Sequence, residues 1–190
     1  MDALQALHER VSVPRLTGPA PTAEQCEHLF KAALRAPDHA WLRPWRFLVL
    51  EQPGLEQLGE LFVQAARSDD PALPEMREGK LRRQPLRAPM IIVAISCRQP
   101  HPKVPAAEQD LACGAAVSNM LVAAHALGLG AVWRTGEMAY HPVVREGLGL
   151  ADNEQVIAFL YLGQCLGERK NLPELATTEF FSSWSGPAAD

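Results

Sequence analysis

No stretch of this chain stays apolar long enough to cross a bilayer. Its longest apolar run, Ala88–Ile95, spans eight residues and is interrupted by Pro89, against about 20 for a spanning helix. A basic excess is also missing: 18 Lys and Arg stand against 22 Asp and Glu, a formal charge of −4. Without a basic footprint, nucleic acid is not an expected partner. Cysteine is scarce and scattered, at 26, 97, 113 and 165, with no CxxC pair and no second ligand alongside. Neither a metal site nor a structural disulfide is therefore expected, and these thiols read as small buried hydrophobes. The opening Met1-Asp2-Ala3-Leu4 carries an acid at once where a leader would be basic and then apolar, so the expected location is cytoplasmic.

Chemical signatures are lacking as well. There is no GxSxG, no P-loop and no Ser-His-Asp or Cys-His arrangement among the six histidines. Gly128-Leu129-Gly130 leads into a strand where a dinucleotide loop would open a helix. Acid–base or covalent catalysis by the chain itself is poorly supported, which leaves a borrowed cofactor as the expected source of chemistry.

What is present suits one domain over residues 1–190, with 47% apolar and 21% charged residues. A short helix is expected over Met1–Arg10, with Leu4 and Leu7 on one side, followed by an irregular, proline-bearing Val11–Pro21. Thr22-Ala23-Glu24-Gln25 is a capping box. It opens a helix to about Arg35 that buries Cys26, Leu29, Phe30, Ala33 and Leu34. Strands are expected at Trp45–Leu50, Met90–Cys97, Ala131–Arg134 and Val156–Gly163, and helices at Gly54–Ala66, Pro105–Leu127 and His141–Leu148. Met90–Cys97 is continuously apolar, as a strand covered on both faces would be. The charged, proline-rich Ser68–Pro89 reads as a solvated helix or a mobile lid more than as an anion site. The tail from Leu166 is expected to end in loose residues. About four strands among more numerous helices give an α+β fold.

Three groups of residues could carry chemistry. Arg10-Val11-Ser12 lies where a helix breaks into a loop, and a guanidinium with a hydroxyl two residues on can converge on one phosphate. Ser12 reads equally as an ordinary turn residue. Arg35-Ala36-Pro37-Asp38-His39 and Arg43-Pro44-Trp45-Arg46-Phe47 crowd cations and an imidazole into one loop, although a helix-terminal Arg35 can simply answer the dipole. Gly128-Leu129-Gly130-Ala131-Val132-Trp133-Arg134-Thr135-Gly136 can offer backbone groups and a stacking surface to a flat ligand, or be a core tryptophan followed by a turn.

In this order and spacing, the three groups resemble the FMN-dependent nitroreductase family over nearly the whole chain, and its small single-domain members most. Lys103-Val104-Pro105, Pro142-Val143-Val144-Arg145-Glu146 and Phe159-Leu160-Tyr161-Leu162-Gly163 add to the likeness. The resemblance implies a nitroreductase-like α+β fold, a mostly antiparallel central sheet flanked by helices, working as a homodimer with two shared FMN sites. It implies that Arg10, Val11 and Ser12 hold polar groups of FMN. Arg35 and His39 would reach the flavin from either subunit, and Trp133, Arg134 and Thr135 would line it. It assigns Ala123, Ala124, His125, Ala126, Leu127 and Gly128 to the pyridine nucleotide, although these small residues read as well as helix packing. The implied reaction passes hydride from NADH or NADPH to FMN N5 and then to an electron-poor small molecule such as a nitro compound or quinone. A flavin-storage module, or a flavin dehydrogenase with another hydride donor, is the alternative.

This chain departs from the family at the flavin's edge. Many members carry a basic residue where Pro14 stands, and here Arg15 is displaced by one position. Polar residues before Pro-Trp are replaced by Trp41 and Arg43, and a tryptophan after Pro-x by Ala107. These changes make the expected substrate side more aromatic, more cationic and more open.

Overall fold

An eight-residue strand with no polar face is stable only where both of its faces are covered. The computed structural model, which describes residues 1–186, puts it there. This strand, β3 (Met90–Cys97), lies between β2 (Trp45–Leu50) and the twelve-residue β5 (Glu154–Cys165), antiparallel to both. On its far side β5 pairs with β4 (Gly130–Arg134) and, beyond it, with the two-residue β1 (Leu16–Thr17). Every pairing is antiparallel, giving an α+β sheet flanked by helices.

The period-2 rule sorts the residues of β3 into two cores. Ile91, Val93 and Ile95 face Leu58 and Phe62 of α3 (Gly54–Asp69), with α4 (Glu75–Arg83) and α6 (Pro142–Gly147) on the same side of the sheet. Met90, Ile92 and Ala94 face Cys113, Ala116 and Val117 of α5 (Ala106–Ala126), against which α2 (Ala23–Ala33) packs. The capping box forms, with Thr22 Oγ1 accepting from Gln25 N at 3.2 Å and Gln25 Oε1 from Thr22 N at 2.9 Å. Alanine, glycine and cysteine along α5 let it sit close on the sheet. Gly128 at φ +78° then turns the chain out of the helix toward β4.

Several expectations need correction. Val11–Pro21 is not wholly irregular: Leu16 and Thr17 pair with Cys165 and Gln164, because β5 runs past Gly163 and offers them its edge. Among the described residues five strands form, against the roughly four expected. Along α1 (Ala3–Glu9) it is Ala6 that turns inward, while Leu4 and Leu7 stand exposed, and Leu34 is likewise exposed past the end of α2. The charged segment contains α4, which is docked on α3. Arg67 grips Glu78 of α4 through two bonds, and Arg82 of α4 grips Glu60 of α3 in the same way. The cysteines are free thiols, Cys26 and Cys113 buried. No helix among the described residues is long and apolar enough to cross a membrane, and no group of three His, Cys, Asp or Glu there could hold a metal. The tail's last residues, from 187 on, lie outside the described residues.

Candidate functional site

Arg10-Val11-Ser12 is pinned at both ends. α1 finishes at Glu9, and Val13 is buried and donates its N–H to Ala131 O of β4 at 2.9 Å. The loop therefore lies beside the start of β4 and the end of α5. Ser12 lines a small pocket with Pro14, Arg15, Glu168, Arg169 and Lys170. The tail reaches this pocket because Leu166 N donates to Arg15 O at 3.0 Å, extending the β1–β5 pairing by one rung.

Arg169 then crosses to the C-terminal end of α5. Its guanidinium donates to His125 Nδ1 at 2.9 Å and to Gly128 O at 3.2 Å. A ring that accepts at Nδ1 carries its proton on Nε2, which is buried and partnerless among the described residues. Burial first, then the charge of Arg169 and, after an opposing contribution from Glu9, that of Arg10 hold the His125 pKa below its ordinary value. Arg10, Arg15, Arg169 and Lys170 form no ion pair among the described residues. This corner of the molecule thus gathers four cations and, in Glu168 and Glu9, two carboxylates bonded to none of them, and anions favour such a net cationic place.

The other end of β4 borders a mainly apolar cleft that also holds the Arg98–Asp110 ion pair and Gln155. Trp133 lies against α5, where a Cβ on Gly114 would meet its Cη2 at 3.4 Å, and its Nε1 donates to Ile157 O at 3.1 Å. Together with Thr135, Ala107, Leu111 and Tyr140 it lines an open cleft. Strand alternation sends Arg134 to the opposite face, its Cζ 5.7 Å from the centre of the Tyr161 ring. The structure therefore brings Trp133 and Thr135 together but not Arg134, whose Nε is buried without a partner among the described residues. Burial pushes the Tyr161 hydroxyl up to about 12.

Arg35 follows the end of α2, where Asn119 of α5 donates to Ala32 O at 3.0 Å, and His39 lies farther along. His39 Nδ1 meets Glu108 Oε2 at 2.7 Å, in the first turn of α5, whereas Arg169 and Arg10 sit near His125 in its last turn. Seventeen positions of helix separate Glu108 from His125, about 25 Å at 1.5 Å per residue. Within one chain, His39 is far from the Arg10–Ser12 corner. Of the stretch assigned to a pyridine nucleotide, Ala124 and His125 are buried in the packing of α5, Ala123 and Leu127 are half-buried, and only Ala126 and Gly128 are exposed.

Comparison with known proteins follows this geometry. The sequence profile described as "Nitroreductase family" matches residues 7–164. The chain belongs to the nitroreductase family. It is 44% identical over 167 residues to the Escherichia coli K12 protein named "Putative NAD(P)H nitroreductase YdjA", covering 86% of this chain and 88% of that one. The crystal structure of a nitroreductase-like family protein from Bacillus cereus superposes with a TM-score of 0.83 at 24% identity, covering 98% of this chain and 97% of that one. A Bacteroides fragilis nitroreductase crystallised with bound FMN gives 0.73 at 21% identity, covering 97% and 100%. These two likenesses establish the nitroreductase-like fold of this chain.

Sequence reasoning missed Arg169 and Lys170 as candidate members of the cationic corner. The one available signal was a pair of cations placed just after the final strand, where the chain must run back alongside β1. Arg15, one position from the family's usual basic residue, lines the same pocket as Ser12.

Proposed function

We propose that this nitroreductase-family chain is one domain of an FMN-dependent NAD(P)H oxidoreductase, a cytoplasmic homodimer with two flavin sites shared between subunits. One observation carries the shared site. The cationic corner at the end of α5 and His39, held at its start by Glu108, lie about 25 Å apart along that helix in one chain. Two copies packed with their α5 helices opposed would place one chain's corner against the other's loop. The exposed Leu166, Leu172, Leu175, Phe180, Phe181 and Trp184 of the tail give a second copy apolar surface to cover.

The residues present fit FMN. Ser12, Arg15, Arg169 and Lys170 line a pocket with Glu168, and with Arg10 close by they offer guanidiniums to a phosphate bearing close to two charges. About 13 Å of β4 leads from Gly130 beside this corner to Arg134 at the strand's other end, at 3.3 Å per residue. There Trp133 and Thr135 border the mainly apolar cleft, which suits a flat ring system. When bound, FMN supplies the two-electron relay between reduced nicotinamide and an electron-poor acceptor. The protein's part is to anchor the phosphate, shield the ring with Trp133 and the partner's loop, and keep both small molecules on one exposed face. No side chain of the cleft is placed as a nucleophile or general base.

The deciding experiment is a visible spectrum of the protein after loading with FMN, recorded anaerobically before and after NADH and NADPH. Flavin absorbance that bleaches with either nucleotide is the expected result. A colourless protein would overturn the flavin reading. A coloured protein that bleaches with neither nucleotide would leave a flavin-binding module and remove the nicotinamide.

A further inference from the structure

The loop after α2 holds its backbone in a conformation that costs free energy. Ala40, Trp41 and Arg43 have φ of +61°, +56° and +48°, three non-glycine residues in the left-handed region within four positions. Such residues persist only where their surroundings hold them. Here Asp38 Oδ2 accepts from Arg43 N at 2.6 Å, Gln99 Nε2 donates to Leu42 O at 3.0 Å, and His39 is tied to Glu108. The outcome of this bracing is that Trp41 stands 80% exposed. An indole presented to water by a braced, strained loop has been given up by the core, where its burial would stabilise most.

Trp41 lines a groove of about 300 Å³ with Leu34, Arg35, Asp38, Arg43 and Trp45. Neither arginine is in an ion pair among the described residues. One oxygen of the Asp38 carboxylate is already engaged by the Arg43 backbone. The groove therefore combines two indole faces with two unpaired guanidiniums and is net cationic. Planar anions fit this chemistry: an aromatic ring stacks on indole while a carboxylate takes parallel donors from a guanidinium.

We propose that this groove selects, among electron-poor acceptors such as nitroarenes and quinones, planar ones that carry a carboxylate: the ring stacks on Trp41 and the carboxylate lies toward Arg43 and Arg35, while the nitro or quinone group takes the two electrons. The proposal rests on the reading above that the Arg35–His39 loop faces a partner's flavin, since the groove and that loop are one piece of chain. An adenine nucleotide phosphate shares the aromatic and anionic character, so the test separates the two.

Calorimetric titration of the full-length protein in FMN-containing buffer uses benzoate, its uncharged twin benzamide, and adenosine 2′,5′-bisphosphate. Benzoate is expected to bind about tenfold tighter than benzamide and to lose that margin at high salt. Arg43→Gln should shrink the margin severalfold, Arg35 remaining, while leaving benzamide unchanged. Trp41→Asn, which keeps a residue tolerant of left-handed backbone, should weaken both ring ligands by about tenfold. Equal binding of benzoate and benzamide, or a margin insensitive to Arg43→Gln, overturns the proposal. So does the bisphosphate binding tighter than benzoate through Arg43. Flavin absorbance of the same sample reports separately on the oxidoreductase reading: a colourless sample that keeps the benzoate margin overturns that reading and the acceptor role with it, and a yellow sample without the margin overturns the groove alone.

Discussion

Arg46 of β2 and Glu154 at the head of β5 clasp one another across the strand that separates them. Arg46 Nε and Nη2 reach the two carboxylate oxygens at 2.6 and 2.7 Å, passing over β3, whose Cys97 Sγ also donates to Glu154 Oε1 at 3.2 Å. The clasp joins next-nearest strands where the β3–β5 ladder ends. The Arg46 bonds hold the Glu154 carboxyl down at about 2, and burial together with that carboxylate pushes the Cys97 thiol up to about 11.

Arg46→Met should cost about 2–4 kcal/mol, since it strands a largely buried carboxylate. The same pair sets an acid dependence. A carboxyl held at about 2 against an ordinary 4.5 contributes stability that is full above pH 4.5 and drains away as pH falls toward 2. Urea unfolding at pH 7 and pH 3 should show a smaller drop between the two for Glu154→Gln than for the parent chain. Identical drops would remove the clasp from the acid limb.

Two glycines in facing helices should respond oppositely to the same methyl group. A Cβ at Gly59 of α3 would lie 2.3 Å from the Arg82 carbonyl oxygen, so α3 and α4 would have to part. Gly59→Ala is expected to destabilise by about 1–3 kcal/mol. A Cβ at Gly79 of α4 would meet only the movable Arg83 guanidinium, at 3.3 Å. Gly79→Ala should gain about 0.5–1 kcal/mol of helix stability. Thermal melts of the two variants that shift in the same direction would contradict this packing.

His125 should make the chain less stable in mild acid. Its folded pKa lies below the ordinary 6.5, chiefly through burial and then through Arg169. The unfolded chain therefore takes up the proton first, and stability declines as pH falls below 6.5. His125→Phe should remove that slope between pH 7 and 5, as read from melting temperatures across the range. An unchanged slope would place the titrating group elsewhere.

Arg10→Ala should weaken FMN by about 10- to 200-fold, the loss of a charge-assisted contact worth roughly 1.5–3 kcal/mol. Riboflavin, which lacks the phosphate, should be affected less. Arg77→Ala is the control, because Arg77 is exposed on α4, on the other side of the sheet from α5. Fluorescence titration of the flavin checks all three. Equal affinity for parent and Arg10→Ala would detach the phosphate from this corner.

The regular elements were legible because they depend on local pattern. The unbroken apolar run of β3 placed it in the middle of the sheet, Thr22 and Gln25 marked the start of α2, and Gly128 marked the end of α5. β1 was not legible: two residues carry no period, and they pair only because β5 overruns its neighbours. Arg169 was hidden for a similar reason, since its importance comes from the tail folding back along Arg15. The strained turn at Ala40–Arg43 left no sign either, because none of its left-handed residues is glycine and the local Asp38–Arg43 bond is joined by long-range bonds from Gln99 and Glu108. At the candidate site, the motifs located three pieces. They gave no indication that α5 would hold two of them at opposite ends.

β5 is the strand on which β1, β3 and β4 all depend, and it is the last to be synthesised. At about 5–20 residues per second, about 3–14 s pass between the appearance of Cys97 and that of Cys165. During that interval β3 has β2 on one side and, on the other, an open edge of unpaired backbone groups flanked by mostly apolar side chains. An unpaired edge of this kind is a template for other chains. The cell's handling of the nascent chain, more than the stability of the finished sheet, should therefore set how much protein is recovered. Slower translation through residues 98–153 should lower the soluble yield without changing the melting temperature of what survives.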